Sequence, residues 1–229
     1  MAVPITYLLR SLLSLIFFEV FLGAMLFWPA GDIRWVNGWL MMVVFFVLTV
    51  PSIVILWRVN PDIFVARSKI HAGTKGWDRI VIWVLVSAFF AVFPLAALDA
   101  GRLHWSAVPP WLMAVGYVLL AVGWAGSIWV YAVNRFAEPT VRIQTDRGQT
   151  VIDTGPYAIV RHPLYMWSLF LFPAFPLALG SYWAILPGVL AAIVLVVRTA
   201  LEDRTLHREL PGYREYAQRV RYRLVPGIW

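Results

Sequence analysis

The stretch "PLYMWSLFLFPAFPLALGSYWAILPGVLAAIVLVVR", residues 163–198, decides how the chain is organised. It holds two apolar segments, 166–179 and 182–197, joined by "LGS" at Leu179–Ser181 and interrupted by Pro173, Pro176 and Pro187. A helix over 166–179 rises only ~21 Å, short of the ~30 Å hydrocarbon core of a bilayer. The two segments therefore predict a tight helical hairpin. It spans a thinned region or gains length from flanking turns. Upstream lie four longer apolar blocks, 7–28, 39–57, 80–98 and 110–131. Each is ~20 residues, enough to cross a membrane as a helix. The expected fold is an all-α polytopic membrane bundle of about six spans.

Composition agrees. The 229 residues are 61% hydrophobic and 14% charged, with a mean hydropathy of +0.75. Soluble domains are about half apolar and about a quarter charged. The basic residues alternate with the spans. Of 19 Lys and Arg, 17 fall on one side of a six-span arrangement, and only Arg34 and Arg102 fall on the other. The positive-inside rule puts the basic side, with both termini, in the cytoplasm. That pattern also accounts for the +7 net charge as a membrane-surface distribution, so no nucleic-acid partner is expected.

The chain has no cysteine, which excludes disulfides, thiolate nucleophiles and Cys-ligated metals. His71, His104, His162 and His207 are scattered without a ligand spacing, so no metal site is expected. No GxGxxG or Walker loop occurs. The first apolar run is too long for a signal-peptide core and lacks a small-residue cleavage site, so it is expected to remain as the first span. One domain is expected over 1–229, with four N-terminal spans in 1–131 and a region in 132–229 that holds the polar motifs.

Two stretches carry chemistry. In "GPYAIVRHPLYMW", residues 155–167, Pro163 suits the first turn of a helix, with His162 as its N-cap. Its positive end, Arg161 and the hydroxyls of Tyr157 and Tyr165 form a cradle for a carboxylate or phosphate. Interfacial anchoring is the other reading of the same residues. In "VVRTALEDR", residues 196–204, Arg198 and Glu202 share a helix face, with Asp203 beside them. Acids at the mouth of a membrane helix call for a cation. Arg198 and Arg204 supply one in a structural pair, or a ligand supplies it. Leu206, Leu210, Tyr213, Tyr216 and Val220 read as an amphipathic surface helix broken at Pro211-Gly212, able to cap a cavity beneath it. "NPDIF" reads as a helix start capped by Asn60, and 141–157 as a short hairpin or an extended lid.

"GPYAIVRHPLY", a short hydrophobic hairpin, "R-x-x-x-E-D" and "PGYREYAQRVRYRLVPGIW" together resemble the isoprenylcysteine carboxyl methyltransferase family and the wider group with the phospholipid N-methyltransferases. The resemblance is specific over 141–229. The loop "NPDIFVARSKIHAGTKGWDR" is similar to that of bacterial members, so a bacterial inner membrane is the expected location. The resemblance implies S-adenosylmethionine bound on the cytoplasmic side and a lipophilic acceptor entering from the bilayer. It places Gly155, Tyr157, Arg161, His162, Tyr165, Glu202, Asp203, Tyr213 and Tyr216 at the cofactor. It puts Arg198 at the substrate end and makes Arg198 and Glu202 the catalytic candidates. Asp203 stands where the family usually has a second Glu, which makes Glu202 the stronger contact. Trp167, next to the motif, is expected to line the acceptor tunnel.

The expected reaction is in-line methyl transfer with no metal and no enzyme nucleophile. An isoprenylcysteine-type carboxylate is the first expectation for the acceptor; a phospholipid amine or a lipophilic thiol is the alternative. An NADPH-dependent sterol-type reductase shares an RHP-like motif, but its Asn-Tyr-x-Gly-Glu continuation is Leu164-Tyr165-Met166-Trp167-Ser168 here. A transporter leaves the cluster of Arg, His, Tyr and acids unexplained. Glu19, inside the first span, reads as a snorkelling or interhelical carboxylate or a functional one. Gly116, Gly123 and Gly126 predict close helix packing.

Overall fold

A computed structural model describes residues 4–68 and 70–229; Lys69, counted above among the basic residues, lies outside them. The chain runs α1 (Ile5–Ala30), α2 (Val36–Val59), α3 (Asp62–Ala66), α4 (Gly76–Ala96), α5 (Pro110–Val133), α6 (Pro163–Leu179), α7 (Ile185–Glu209) and α8 (Tyr213–Arg219). A π-helical turn, Ala97–Leu103, prolongs α4. Five helices are long and apolar enough to cross a membrane, and α6 is a shorter apolar helix. No strand occurs among the described residues.

The hairpin is unequal. Its first arm, α6, has 17 residues, but α7 has 25 because the helix continues from its apolar half into the polar run that ends at Glu209. The hydrophobic stretch alone under-reads such a helix. Gly180 turns the chain between the arms, donating to Leu177 O as Ser181 N donates to Pro176 O.

The expected glycine packing is present where α5 meets α6. A Cβ at Gly116 would lie 2.5 Å from Ala178 N, and one at Gly126 2.0 Å from the Trp167 ring. Backbones this close gain dispersion contacts that larger residues would forbid, the main attraction left to helices whose solvent is itself apolar. At the other edge of the bundle α7 packs along α4.

The dry core sits toward one end. Leu22, Leu26, Met41, Phe93, Leu120 and Phe175 are buried together, and Phe175 meets Phe89 and Phe93 edge-on at 5.3 and 5.4 Å. At that end Asp99, fully buried, accepts from Ser106 N (2.8 Å), Ser106 Oγ (2.5 Å) and Ser181 Oγ (2.5 Å). It thereby ties the α6–α7 turn to the loop before α5.

The opposite end carries the basic loops and is hollow. Its loops hold one another. Lys75 N donates to Val141 O at 3.0 Å, and Asn60 Nδ2 donates to Tyr131 O at 2.6 Å. Asn60 ends α2 and does not cap α3, whose N-cap is Pro61. Residues 134–162 form an extended strap with one 3₁₀ turn at Thr145–Arg147 and another at Gly155–Ala158; the hairpin alternative is not formed. The C-terminal helix also departs from expectation. Only Tyr213–Arg219 is helical beyond Pro211-Gly212, and Leu210, Tyr213, Tyr216 and Val220 are buried against Ile143, Val151 and Leu206. The strap, not a lipid surface, covers that face.

Candidate active site

Three elements converge at the hollow end: the strap, the start of α6 and the polar end of α7. Gly155 takes φ +57°, and its Cβ would approach Val133 at 3.1 Å. It opens the turn that presents Tyr157 but does not line the cavity itself. The Tyr157 hydroxyl accepts from Asn134 Nδ2 at 2.6 Å, and its carbonyl accepts from the Tyr216 hydroxyl at 2.7 Å. His162 is the N-cap of α6 and Pro163 its first residue, as the sequence predicts.

Arg161 and His162 are held from both sides. Their backbone N–H groups donate to Tyr222 O and Arg223 O, each at 2.9 Å, so the C-terminal tail is pinned along this segment. The Arg161 guanidinium donates to Asp203 through Nε (2.9 Å) and Nη2 (3.2 Å), and through Nη1 to the carbonyls of Val220 (2.9 Å) and Arg221 (2.8 Å). Asp203, 1% exposed, also receives the Tyr213 hydroxyl (2.9 Å) and Arg223 Nε (2.8 Å), and His162 Nε2 lies 3.3 Å away.

Asp203 is thus the hub that ties α7, α8, the tail and the α6 start together. One carboxylate meets two guanidiniums, so the cluster keeps net positive charge. Burial opposes the charged form of Arg161, but Asp203 outweighs it and holds its pKa above the usual value. Burial pushes the phenols of Tyr213 and Tyr216 well above their ordinary range, so both remain hydrogen-bond donors at neutral pH.

Glu202 points elsewhere. Its Oε2 takes the Tyr165 hydroxyl, and Oε1 accepts from no donor among the described residues. It lines a cavity of about 110 Å³ together with Tyr157, Arg161, His162, Tyr165, Tyr213 and Tyr216. Seven of the nine sequence-predicted cofactor residues meet there; Gly155 and Asp203 stand behind the wall. Leu206, Leu210, Val151 and Ile152 supply its apolar side.

A second cavity of about 410 Å³ adjoins it, lined mostly by apolar side chains of α4, α5, α6 and α7. Glu138, Leu164 and Tyr165 line both cavities. Arg198 lines only the second. Its guanidinium stands over the Tyr165 ring at 5.3 Å. It donates to Asp78 from Nε (2.7 Å) and Nη2 (3.1 Å), and from Nη2 to Pro139 O (2.8 Å). Trp167 lines neither cavity; it packs on Gly126 of α5, and Trp124 is the tryptophan at the second cavity.

Two acids of the site escape the sequence reading. Asp78, fully buried, pairs with Arg198 across 120 residues and accepts Val141 N (2.7 Å) through Oδ2. Glu138 is chelated by the Arg142 fork at 2.7 Å on each oxygen. Each is one of several acids in a mainly basic segment, a weak signal whose meaning depends on which helix end it meets. Among the described residues no three His, Cys, Asp or Glu side chains converge as a metal site.

Residues 111–210 match the model of the phospholipid methyltransferase family, a family of membrane methyltransferases. The matched segment runs from α5 to the end of α7 and contains the α6 start, Arg198, Glu202 and Asp203. Two curated relatives carry metal-resistance names. The cobalt-zinc-cadmium resistance protein CzcN of Cupriavidus metallidurans is 30% identical over 152 residues, 62% of this chain and 61% of that protein. The nickel-cobalt-cadmium resistance protein NccN of Alcaligenes xylosoxydans xylosoxydans is 25% identical over 152 residues, 62% of each. The chain spans about three fifths of the length of these relatives.

Proposed function

From a membrane chain whose residues 111–210 match the phospholipid methyltransferase family, we infer an enzyme that transfers a methyl group from S-adenosylmethionine to a lipophilic acceptor. One observation carries this reading. A polar cavity and an apolar cavity meet at a shared wall of Glu138, Leu164 and Tyr165. A polar donor and a greasy acceptor can each lie in matching surroundings and touch only at that wall.

The residues of the polar cavity suit this cofactor. Glu202 offers an unused carboxylate oxygen to a cation. The net-positive cluster around Asp203 and the start of α6 favour an anion. Val151, Ile152, Leu206 and Leu210 offer an apolar face to a nucleoside. When bound, S-adenosylmethionine supplies an electrophilic methyl group and the leaving thioether. The protein's part is alignment and exclusion of water, which can supply about 7–11 kcal/mol of a barrier. Tyr165, fixed between Glu202 and Arg198, holds the boundary of the two cavities. At about 110 Å³ the polar cavity is below the roughly 300 Å³ of small-molecule sites, so its walls must part to admit the cofactor.

The acceptor takes one of two forms. A carboxylate, as in an isoprenylcysteine-type substrate, is ionised at neutral pH and needs no base. It would meet Arg198 through Nη1, the group not engaged by Asp78 or Pro139. A phospholipid amine is the second reading, and the Arg198–Asp78 pair favours it. Asp78 cancels the guanidinium's charge, and Glu202, with one oxygen unused, is the acid able to take the ammonium proton, since Arg142 holds both oxygens of Glu138. The site faces the cytoplasm in this reading, as the basic loops require.

Calorimetry on the purified protein tests the class. S-adenosylmethionine or its demethylated product should bind and NADPH should not; the reverse would make this a reductase. Radiolabelled methyl transfer to prenylcysteine analogues and, separately, to phospholipid amines then identifies the acceptor.

A further inference from the structure

A third cavity, about 620 Å³, opens between α1, α2, α3 and α5 at the basic end of the bundle. It lies outside the segment that carries the methyl-transfer site, except where Arg67 and three α5 residues also border the apolar cavity. We propose that it binds the phosphate headgroup of a bilayer lipid, with Arg10 and Arg67 as counter-charges.

The lining has a single sign of charge. Arg10 and Arg67 border it, and no Asp or Glu does. Neither arginine forms an ion pair with a carboxylate among the described residues; each stands over a tyrosine ring, Arg10 at 5.8 Å from Tyr7 and Arg67 at 5.0 Å from Tyr131. Two such guanidiniums at a membrane boundary attract an anion, and planar N–H forks match phosphate geometry. Basic pockets between transmembrane helices are where anionic headgroups bind.

The deeper lining is polar where a membrane core should not be. Ser14 lies one helical turn below Arg10, ~6 Å along the axis. Thr49 and Ser52 face the same space from α2. Ser52 is spoken for, donating to Leu48 O and accepting from Trp124 Nε1. Thr49 Oγ1 is enclosed by protein and has no hydrogen-bond partner, so it is not open to a ligand. The exposed Ser14 on the same wall is open to one, at the depth where a lipid's ester oxygens lie beneath its phosphate.

The route of access selects a lipid over a soluble phosphate. Leu13, on the cavity wall, is 66% exposed on a helix whose surroundings are hydrocarbon. The cavity therefore opens sideways into the bilayer.

The test is lipid retention by the full chain in detergent, read by native mass spectrometry with dioleoyl phosphatidylglycerol, dioleoylglycerol and glycerol 3-phosphate as probes. The phosphatidylglycerol should bind, and dioleoylglycerol, which lacks the phosphate, should not. Arg10→Gln should weaken binding about fivefold, and Arg10→Gln/Arg67→Gln about 25-fold, at the rough worth of one membrane-facing arginine. Ser14→Ala should weaken it less, and Arg34→Gln, at the far end, should leave it unchanged. Undiminished retention in the double variant would overturn the proposal, as would equal binding of dioleoylglycerol. Binding of glycerol 3-phosphate without the lipid would overturn the lipid source. None of these readouts involves methyl transfer, and because Arg67 also borders the apolar cavity whereas Arg10 does not, the Arg10→Gln arm separates this site from a lipid held as acceptor.

Discussion

Glu202 and Asp203 are neighbours with opposite surroundings. Asp203 is buried with four donor residues, whereas Glu202 lines a cavity with one oxygen unused. Breaking a buried ion pair by removing one partner costs about 3–5 kcal/mol, because a charge is left uncompensated. Asp203→Ala should therefore lower the melting temperature sharply, by circular dichroism in detergent, before any question of binding arises. Glu202→Gln should melt like the parent but bind S-adenosylmethionine at least about tenfold more weakly by calorimetry, the worth of a hydrogen bond to a charged group. A Glu202→Gln protein that binds normally would remove Glu202 from the cofactor. By contrast the half-exposed Lys75–Glu209 bridge at 2.7 Å should contribute only about 0–1 kcal/mol.

Two buried phenols belong to the same scale. Burial raises the pKa of Tyr213 and Tyr216, while in the unfolded chain they ionise near ~10. Their contribution to stability is whole below that pH and is lost as pH rises toward the folded-state values. Alkaline titration of the fold should accordingly show weakening that begins near pH ~10, and Tyr216→Phe should reduce the slope there.

At the scale of elements, the α5–α6 contact is the most constrained. A Cβ at Gly126 would sit 2.0 Å from Trp167, so even the smallest substitution pushes the helices apart. Gly126→Ala should cost about 1–3 kcal/mol by overpacking. Under the proposed activity it should also reduce methyl transfer, since α6 carries His162, Leu164 and Tyr165 to the cavities. Normal thermal stability in that variant would mean that the helices are less tightly joined than this geometry requires. The glycines were legible as packing residues from their spacing on one face. Their partner, Trp167, was not, because a sequence shows that a face is small without showing what presses on it.

Across the whole molecule, the bundle divides into a dry end closed around Phe93, Phe175 and Asp99 and a hollow end gathering nearly all the basic residues. Orientation can be measured directly because the chain has no cysteine. Gly148→Cys, in the strap, should react with an impermeant maleimide only after the cells are opened. His104→Cys, at the far end, should react in intact spheroplasts. The opposite result would invert the assigned orientation and move the site to the outer face.

Hydropathy, helix periodicity and charge alternation by themselves determined the spans, the basic end, the N-cap at His162 and the small face of α5. These are local properties: each follows from which residues adjoin in the chain and whether lipid or water surrounds them. The length of α7 escaped this logic because a helix can outrun its apolar half. The partnerships were decided only by the tertiary structure. Arg161 turned from an open cradle into a tie to Asp203, and Arg198 from a candidate partner of Glu202 and Asp203 into one half of a pair with Asp78. Tyr213 and Tyr216 turned from a lipid surface to a buried wall. A charge's role depends on which counter-charge the fold brings within about 3 Å, and Asp78 and Arg198 are separated by 120 residues. No spacing in the chain encodes that meeting; it arises because α4 and α7 pack side by side.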